Sequence, residues 1–247
     1  MRPLISRMTG IHLLSNALLL LLGYYWLGVA ESHTSTLLWS ICVALFIVAL
    51  GVWTYGASLV YFRQRAEWLK AWRTSLRHVL PLAMATLAVL LLYWALAKWA
   101  NYSSQPAFKI ASYITLKLRK PVRPSSIQLA SNTIVWLVQW MVLPVLFLPM
   151  LSAISATGWS GFTAVGSNVK RWLYWVETPV LLLCAVRLPL LLVRWVPPAD
   201  SFGVQTASFA ARAVVAYLLF GAAWMLLASV TPDGSPRPTQ PSTAVSP

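Results

Sequence analysis

Charge is what this sequence has least of. Only 10% of its 247 residues are Asp, Glu, Lys or Arg, where a soluble domain carries about a quarter. So few charges cannot coat a surface facing water, whereas a surface facing lipid needs none. Acidic groups are scarcer still, since Glu31, Glu67, Glu177, Asp200 and Asp233 are all there are. A divalent cation would therefore lack its hard oxygen ligands, and neither a metal site nor a cofactor is expected. The sequence has no HExxH pair, no Walker loop and no Asp cluster, which removes the usual signatures of zinc hydrolysis and phosphoryl transfer. Its two cysteines, Cys42 and Cys184, sit in separate apolar runs. They read as small hydrophobes and give no ground for a disulfide or a redox role.

What fills the chain instead is hydrocarbon. Apolar residues make up 59% of the sequence, and the mean hydropathy is +0.69. Six apolar stretches approach the length of about 20 residues that a spanning helix needs: Ile11 to Ala30, Leu37 to Phe62, Val79 to Ala97, Ile127 to Leu151, Trp172 to Trp195 and Ser208 to Val230. Aromatic and basic residues suited to the headgroup layer border several of them, among them Tyr24, Tyr25, Trp26, Trp99, Lys170, Arg171 and Trp172. The fold class predicted is an all-α, polytopic transmembrane bundle of about six spans with one or two amphipathic interfacial helices. The first stretch also has features of a signal peptide, but its length and bulky aromatic end favour an uncleaved span. Residues 1–230 form one integral membrane domain in this reading. The tail from 231 to 247, "TPDGSPRPTQPSTAVSP", has nothing apolar to bury and is expected to be disordered.

The net charge of +14 belongs to the membrane before it belongs to nucleic acid. Basic loops beside apolar spans are what the positive-inside rule produces, and no nucleic-acid-binding motif accompanies them. Arg2 and Arg7 precede the first span, the loop "ESHTST" after it has no basic residue, and the next connection carries Arg63, Arg65, Lys70, Arg73 and Arg77. The N-terminus is therefore expected in the cytoplasm, with the chain in a plasma (inner) membrane. Six plain crossings give ten basic residues inside and eight outside, with Arg187 inside a span. A hidden crossing between Lys98 and Lys117 would strengthen that bias. It would also submerge Lys109 and Gln105, at about 2.5 to 3.5 kcal/mol for a charge at mid-membrane. Six plain spans are preferred.

Two segments have amphipathic character. In "RQRAEWLKAWRTSLR", Trp68, Leu69, Trp72 and Leu76 collect on one helical face while Arg65, Lys70, Arg73 and Arg77 flank it. The expectation is a helix in the interface, with its tryptophans among acyl chains and its cations among phosphates; packing on neighbouring spans is the alternative. In "KIASYITLKLRKPVRPSSI", Ile110, Ala111, Ile114 and Leu118 form a narrower stripe, and helix should stop near Lys120 before Pro121 and Pro124. Lys117, Arg119, Lys120 and Arg123 then make a basic elbow that meets anionic lipid, meets an acidic partner, or only fixes topology.

Ionisable groups inside spans are the default pointers to function. Glu177 lies near the start of the fifth span and Arg212 near an end of the sixth, whereas Arg187 lies deep. Arg187 is eight residues from Trp195, so about 12 Å from the nearer boundary, and helical side chains lean the other way. A polar pocket between the fourth and fifth spans, holding Gln139 and Arg187, is the sharper reading; an Arg satisfied by carbonyls is the plainer one. Pro144, Pro149, Pro179 and Pro189 bend these same two spans.

"GWSG" at Gly158 to Gly161 resembles the GxSG motif of rhomboid intramembrane proteases, and "HLLSN" at His12 to Asn16 resembles their HxxxN element. That resemblance implies a serine nucleophile with a histidine base following it in chain order. Here His12, His33 and His78 all precede Ser160, and the assignment is rejected. "KLRKPVRP" is similar to the first phosphate-binding motif of type 2 phosphatidic acid phosphatases. Its spacing from Lys117 to Arg123 is one residue short, and the histidine which that chemistry implies does not follow. The sequence thus favours a non-catalytic membrane component that binds anionic lipid, or an acidic membrane partner, through its basic segments. A small permease or channel between the fourth and fifth spans is the alternative.

Overall fold

The computed structural model describes residues 7–30, 32–119, 121–198 and 201–231. Among them the helices are α1 (Arg7–Leu27), α2 (Thr34–Gln64), α3 (Trp68–Arg77), α4 (Val79–Tyr102), α5 (Ser104–Leu118), α6 (Pro124–Leu137), α7 (Leu143–Thr157), α8 (Trp172–Leu182), α9 (Leu188–Arg194) and α10 (Phe202–Val230), with no strand. Hydrocarbon offers the backbone no hydrogen-bond partner, so a long apolar run must satisfy itself as helix. Six helical segments among the described residues are long and apolar enough to cross a bilayer: α1, α2, α4, α6 with α7, α8 with α9, and α10. The chain is a multi-pass membrane protein with the all-α bundle expected. The ends differ most at the fourth span, whose α7 runs to Thr157 rather than Leu151, and at the sixth, which starts at Phe202 rather than Ser208. Lys120 and the tail from residue 232 lie outside the described residues.

Consecutive spans run antiparallel. Trp26 donates its indole N–H to the Ser40 hydroxyl at 2.9 Å where α1 meets α2. Leu82 and Ala85 of α4 cluster with Ile154 and Met150 of α7, and farther along α4 the Tyr93 hydroxyl donates to the Gln139 carbonyl at 2.6 Å. Met8 packs with Met225, while Tyr217 donates to the Leu13 carbonyl, which opposes α1 to α10. The start of α1, the α2–α3 turn, the turn after α7 and the end of α10 therefore share one end of the bundle. There Arg7, Met8, Tyr61, Glu67 and Trp68 line one cavity. The connections after α1, α4 and α9 share the other end.

At the centre stands α7, which buries eleven of its residues, including Val145, Ile154 and Ser155. After Thr157 the chain enters a 3₁₀ segment, Gly158–Ala164, that doubles back along α7, so that the Gly166 N–H reaches the Leu146 carbonyl at 3.1 Å. Gly161 lies against the Ala153–Ile154 backbone, where no side chain fits.

Two of the four prolines expected to bend the fourth and fifth spans have an identifiable consequence. A proline has no N–H and collides with the carbonyl four residues before it. A π turn, Val138–Val142, ends two residues before Pro144, and another, Leu183–Arg187, ends two residues before Pro189. The N–H of Leu143 pairs with the Val138 carbonyl and that of Leu188 with the Leu183 carbonyl, each one residue wider than the α pattern. Widening the turn gives the ring room without leaving a broken helix. Pro149 and Pro179 sit within regular α-helix.

Candidate functional site

The pathway candidates from the sequence stand apart, since the cavity that Arg212 lines has none of Gln139, Glu177 and Arg187 in its wall. Gln139 lies in the first π turn, half-buried, and its backbone carbonyl accepts from the Tyr93 hydroxyl. Glu177 is half-buried on α8, and Arg187 ends the second π turn with its side chain exposed on the outer surface of the bundle. Arg212 has a defined setting. Its Nε donates to the Ser208 carbonyl at 3.2 Å, and its Nη1 reaches the carbonyls of Leu192 at 3.2 Å and Val193 at 3.4 Å. Those two belong to the last turn of α9, whose carbonyls have no helical donor, and Pro197 supplies none. Arg212 thus caps α9 from α10, placing a cation at a helix C-terminus. The Trp195 and Phe209 rings lie 6.0 Å and 5.9 Å from its guanidinium carbon.

The two basic segments stand at opposite ends of α4. Helix α3 turns back from α2 through Arg65, whose φ of 49° is left-handed. It then docks with Ala71 and Ser75 fully buried. The Ser75 hydroxyl donates to the Trp53 carbonyl at 3.1 Å, and the Trp53 indole donates to the Trp72 carbonyl at 3.0 Å. The rings of Trp53 and Trp72 meet edge to face at 4.6 Å. Half-buried Trp72 thus sets its ring against Trp53 of α2, the packing on a neighbouring span that the sequence held as the alternative. Trp68 is 37% exposed, at the edge of the docked face. Outward from α3 point Lys70, Arg73 and Arg77, with Leu69 and Leu76 beside them, and a shallow groove of about 370 Å³ runs among the three cations, Glu67, Leu69 and Thr74.

The other basic segment forms an elbow between α5 and α6. Ala107 and Ala111 are the buried residues of α5, so of the predicted stripe only Ala111 is buried and Ile114 half-buried, while Ile110 and Leu118 are exposed. Arg119 takes a left-handed φ of 54°, and the Val122 N–H closes the turn on the Thr115 hydroxyl at 3.0 Å. Lys117, Arg119 and Arg123 are exposed there.

Hydropathy gave no hint of the polar seam joining α1, α2 and α10. Asn16, one turn beyond His12, donates its amide to the His12 carbonyl at 3.0 Å and accepts the Tyr55 hydroxyl at 2.8 Å. His12 is fully buried, edge to face with Tyr55 at 5.2 Å. Across from it, Trp224 donates to the Ser58 hydroxyl at 2.9 Å. Beside this seam an apolar cleft of about 520 Å³ opens between α1, α9 and α10, with Asn16, Tyr55 and Tyr217 as its polar lining. The i, i+4 spacing of His12 and Asn16 within an apolar run was the available signal, since polar residues in spans face the bundle interior.

Comparison of the chain with protein-family models, with curated proteins and with solved structures finds no match in any of the three.

Proposed function

We propose that this protein is a non-catalytic membrane component that holds anionic lipid on the outer face of α3. In this proposal the α3 end lies in the cytoplasm of a plasma (inner) membrane. The observation that carries the reading is the division of α3 into two faces: Ala71, Trp72 and Ser75 lock one against α2, which fixes Lys70, Arg73 and Arg77 outward around a single groove. Held cations lose little conformational freedom when a phosphate arrives, and the exposed Leu69 and Leu76 beside them suit the acyl boundary. An acidic segment of another membrane protein would meet the same cations. The permease reading draws less support, since the cavity that Arg212 lines has none of Gln139, Glu177 and Arg187 in its wall.

The test is retention of phosphatidylglycerol against phosphatidylcholine on the purified protein, measured by native mass spectrometry. Replacing Arg73 and Arg77 together by Gln is expected to lower the preference about thirtyfold, from about 1 kcal/mol per cation near an anionic surface. An unchanged preference rules out the α3 site.

Orientation has its own test. Ser125 is exposed at the start of α6, at the end of the bundle opposite α3. With Cys42 and Cys184 replaced, Ser125→Cys is expected to react with a membrane-impermeant thiol reagent on intact cells. Labelling only after the cells are opened would reverse the assigned orientation.

A further inference from the structure

The apolar cleft beside the polar seam has a neighbour. Val193 and Ala213 line it at its α9–α10 end, and Val193 is also a residue whose carbonyl Arg212 caps. Directly beyond lies a second, smaller cavity of about 280 Å³, lined by Arg212 with Gln205, Thr206, Phe209, Val196 and Pro197. The two follow one another along α10, the first apolar and the second, the mouth nearer the start of that helix, cationic. Phe220 in the apolar cleft and Arg212 at the mouth are eight residues apart on α10, or about 12 Å along the helix. The volume of the apolar cleft falls within the range of about 300 to 1,000 Å³ usual for ligand sites.

We infer that the two neighbouring cavities act as one groove and bind one molecule of an anionic phospholipid, with an acyl chain in the cleft and its phosphate on Arg212. The chemistry is complementary at both ends. Nothing in the cleft beyond Asn16, Tyr55 and Tyr217 is polar, and the hydroxyls of Tyr55 and Tyr217 already donate within the protein, so a hydrocarbon chain meets no unmatched group. At the mouth, Nε and Nη1 of Arg212 are committed to carbonyls, which fixes the guanidinium in place and leaves the Nη2 hydrogens for a phosphate oxygen. The site is independent of the α3 face, because α3 stands at the other end of the bundle.

Two variants fill the cleft from different helices, Ala213→Phe on α10 and Leu190→Phe on α9; a third, Arg212→Gln, removes the charge. Each is purified, mixed with phosphatidylglycerol or phosphatidylcholine, and weighed by native mass spectrometry. The wild type is expected to retain one phosphatidylglycerol through washing that strips the remainder. Ala213→Phe and Leu190→Phe should each lose that single copy of either lipid. Arg212→Gln should keep it and lose about fivefold in preference for the anionic headgroup. Replacing Arg73 and Arg77 should leave it untouched. Retention of the copy by both filling variants would overturn the proposal, as would its loss on changing α3. Because the two filling variants act from different helices, misfolding of one leaves the other decisive.

Discussion

Gly161→Ala is expected to lower the stability of the bundle by about 3 kcal/mol, seen as a fall in thermal midpoint and loss of the monodisperse peak in detergent. The reason is local. A Cβ at this position would overlap the Ile154 nitrogen and the Ala153 carbonyl carbon, and backbone inside a central helix cannot step aside as a flexible side chain does. The 3₁₀ segment would have to lift off α7, exposing the cluster that Phe162 covers with Ile154 and Met150. Gly23→Ala serves as the control, because nothing lies within 4 Å of its added methyl. In mid-helix it should be neutral or stabilising by about 1 kcal/mol. If both variants melt together, the close approach at Gly161 is not what holds the segment down.

The second large effect concerns α3. Trp72→Ala removes the ring that meets Trp53 at 4.6 Å, a truncation that costs about 3 to 5 kcal/mol at packed sites. Since α3 has only ten residues, it cannot stand as an isolated helix and should undock. Trypsin cleavage at Lys70, Arg73 and Arg77 is the readout, expected to accelerate about a hundredfold as the open form gains population. Trp72→Phe should behave quite differently. The Trp72 indole nitrogen is buried with no hydrogen-bond partner among the described residues, and an unsatisfied donor costs about 1 to 3 kcal/mol. Phenylalanine keeps an aromatic ring against Trp53 and removes that donor, so protection from trypsin should be retained. Equal acceleration in both variants would show that the Trp53–Trp72 contact is not what docks the helix.

The spans themselves were legible because one quantity, apolar length, decides them. Their faces were not. Lipid tails are as apolar as a leucine core, so helices such as α1 and α10 carry no stripe that distinguishes protein from bilayer. The seam through His12, Asn16, Tyr55 and Trp224 appeared in the sequence only as scattered polar residues on three helices. Arg187 shows a different obstacle. Its azimuth relative to Glu177 is calculable on a straight α-helix, but the π turn Leu183–Arg187 lies between them and alters the rotation. For α3 the amphipathic pattern was plain, and what remained hidden was that Trp53, on another helix, would claim the Trp72 ring.

The π turns also set where these spans can change length. Each is in effect one residue more than an α-helix needs, retained because a proline follows at the same offset. Once Pro144 or Pro189 is replaced by alanine, a single deletion within 138–142 or 183–187 restores regular helix and leaves the residues beyond it facing as before. The same deletion elsewhere in the fourth or fifth span turns every following side chain by about 100°. Over evolutionary time, proline and extra residue should therefore be gained and lost as a pair.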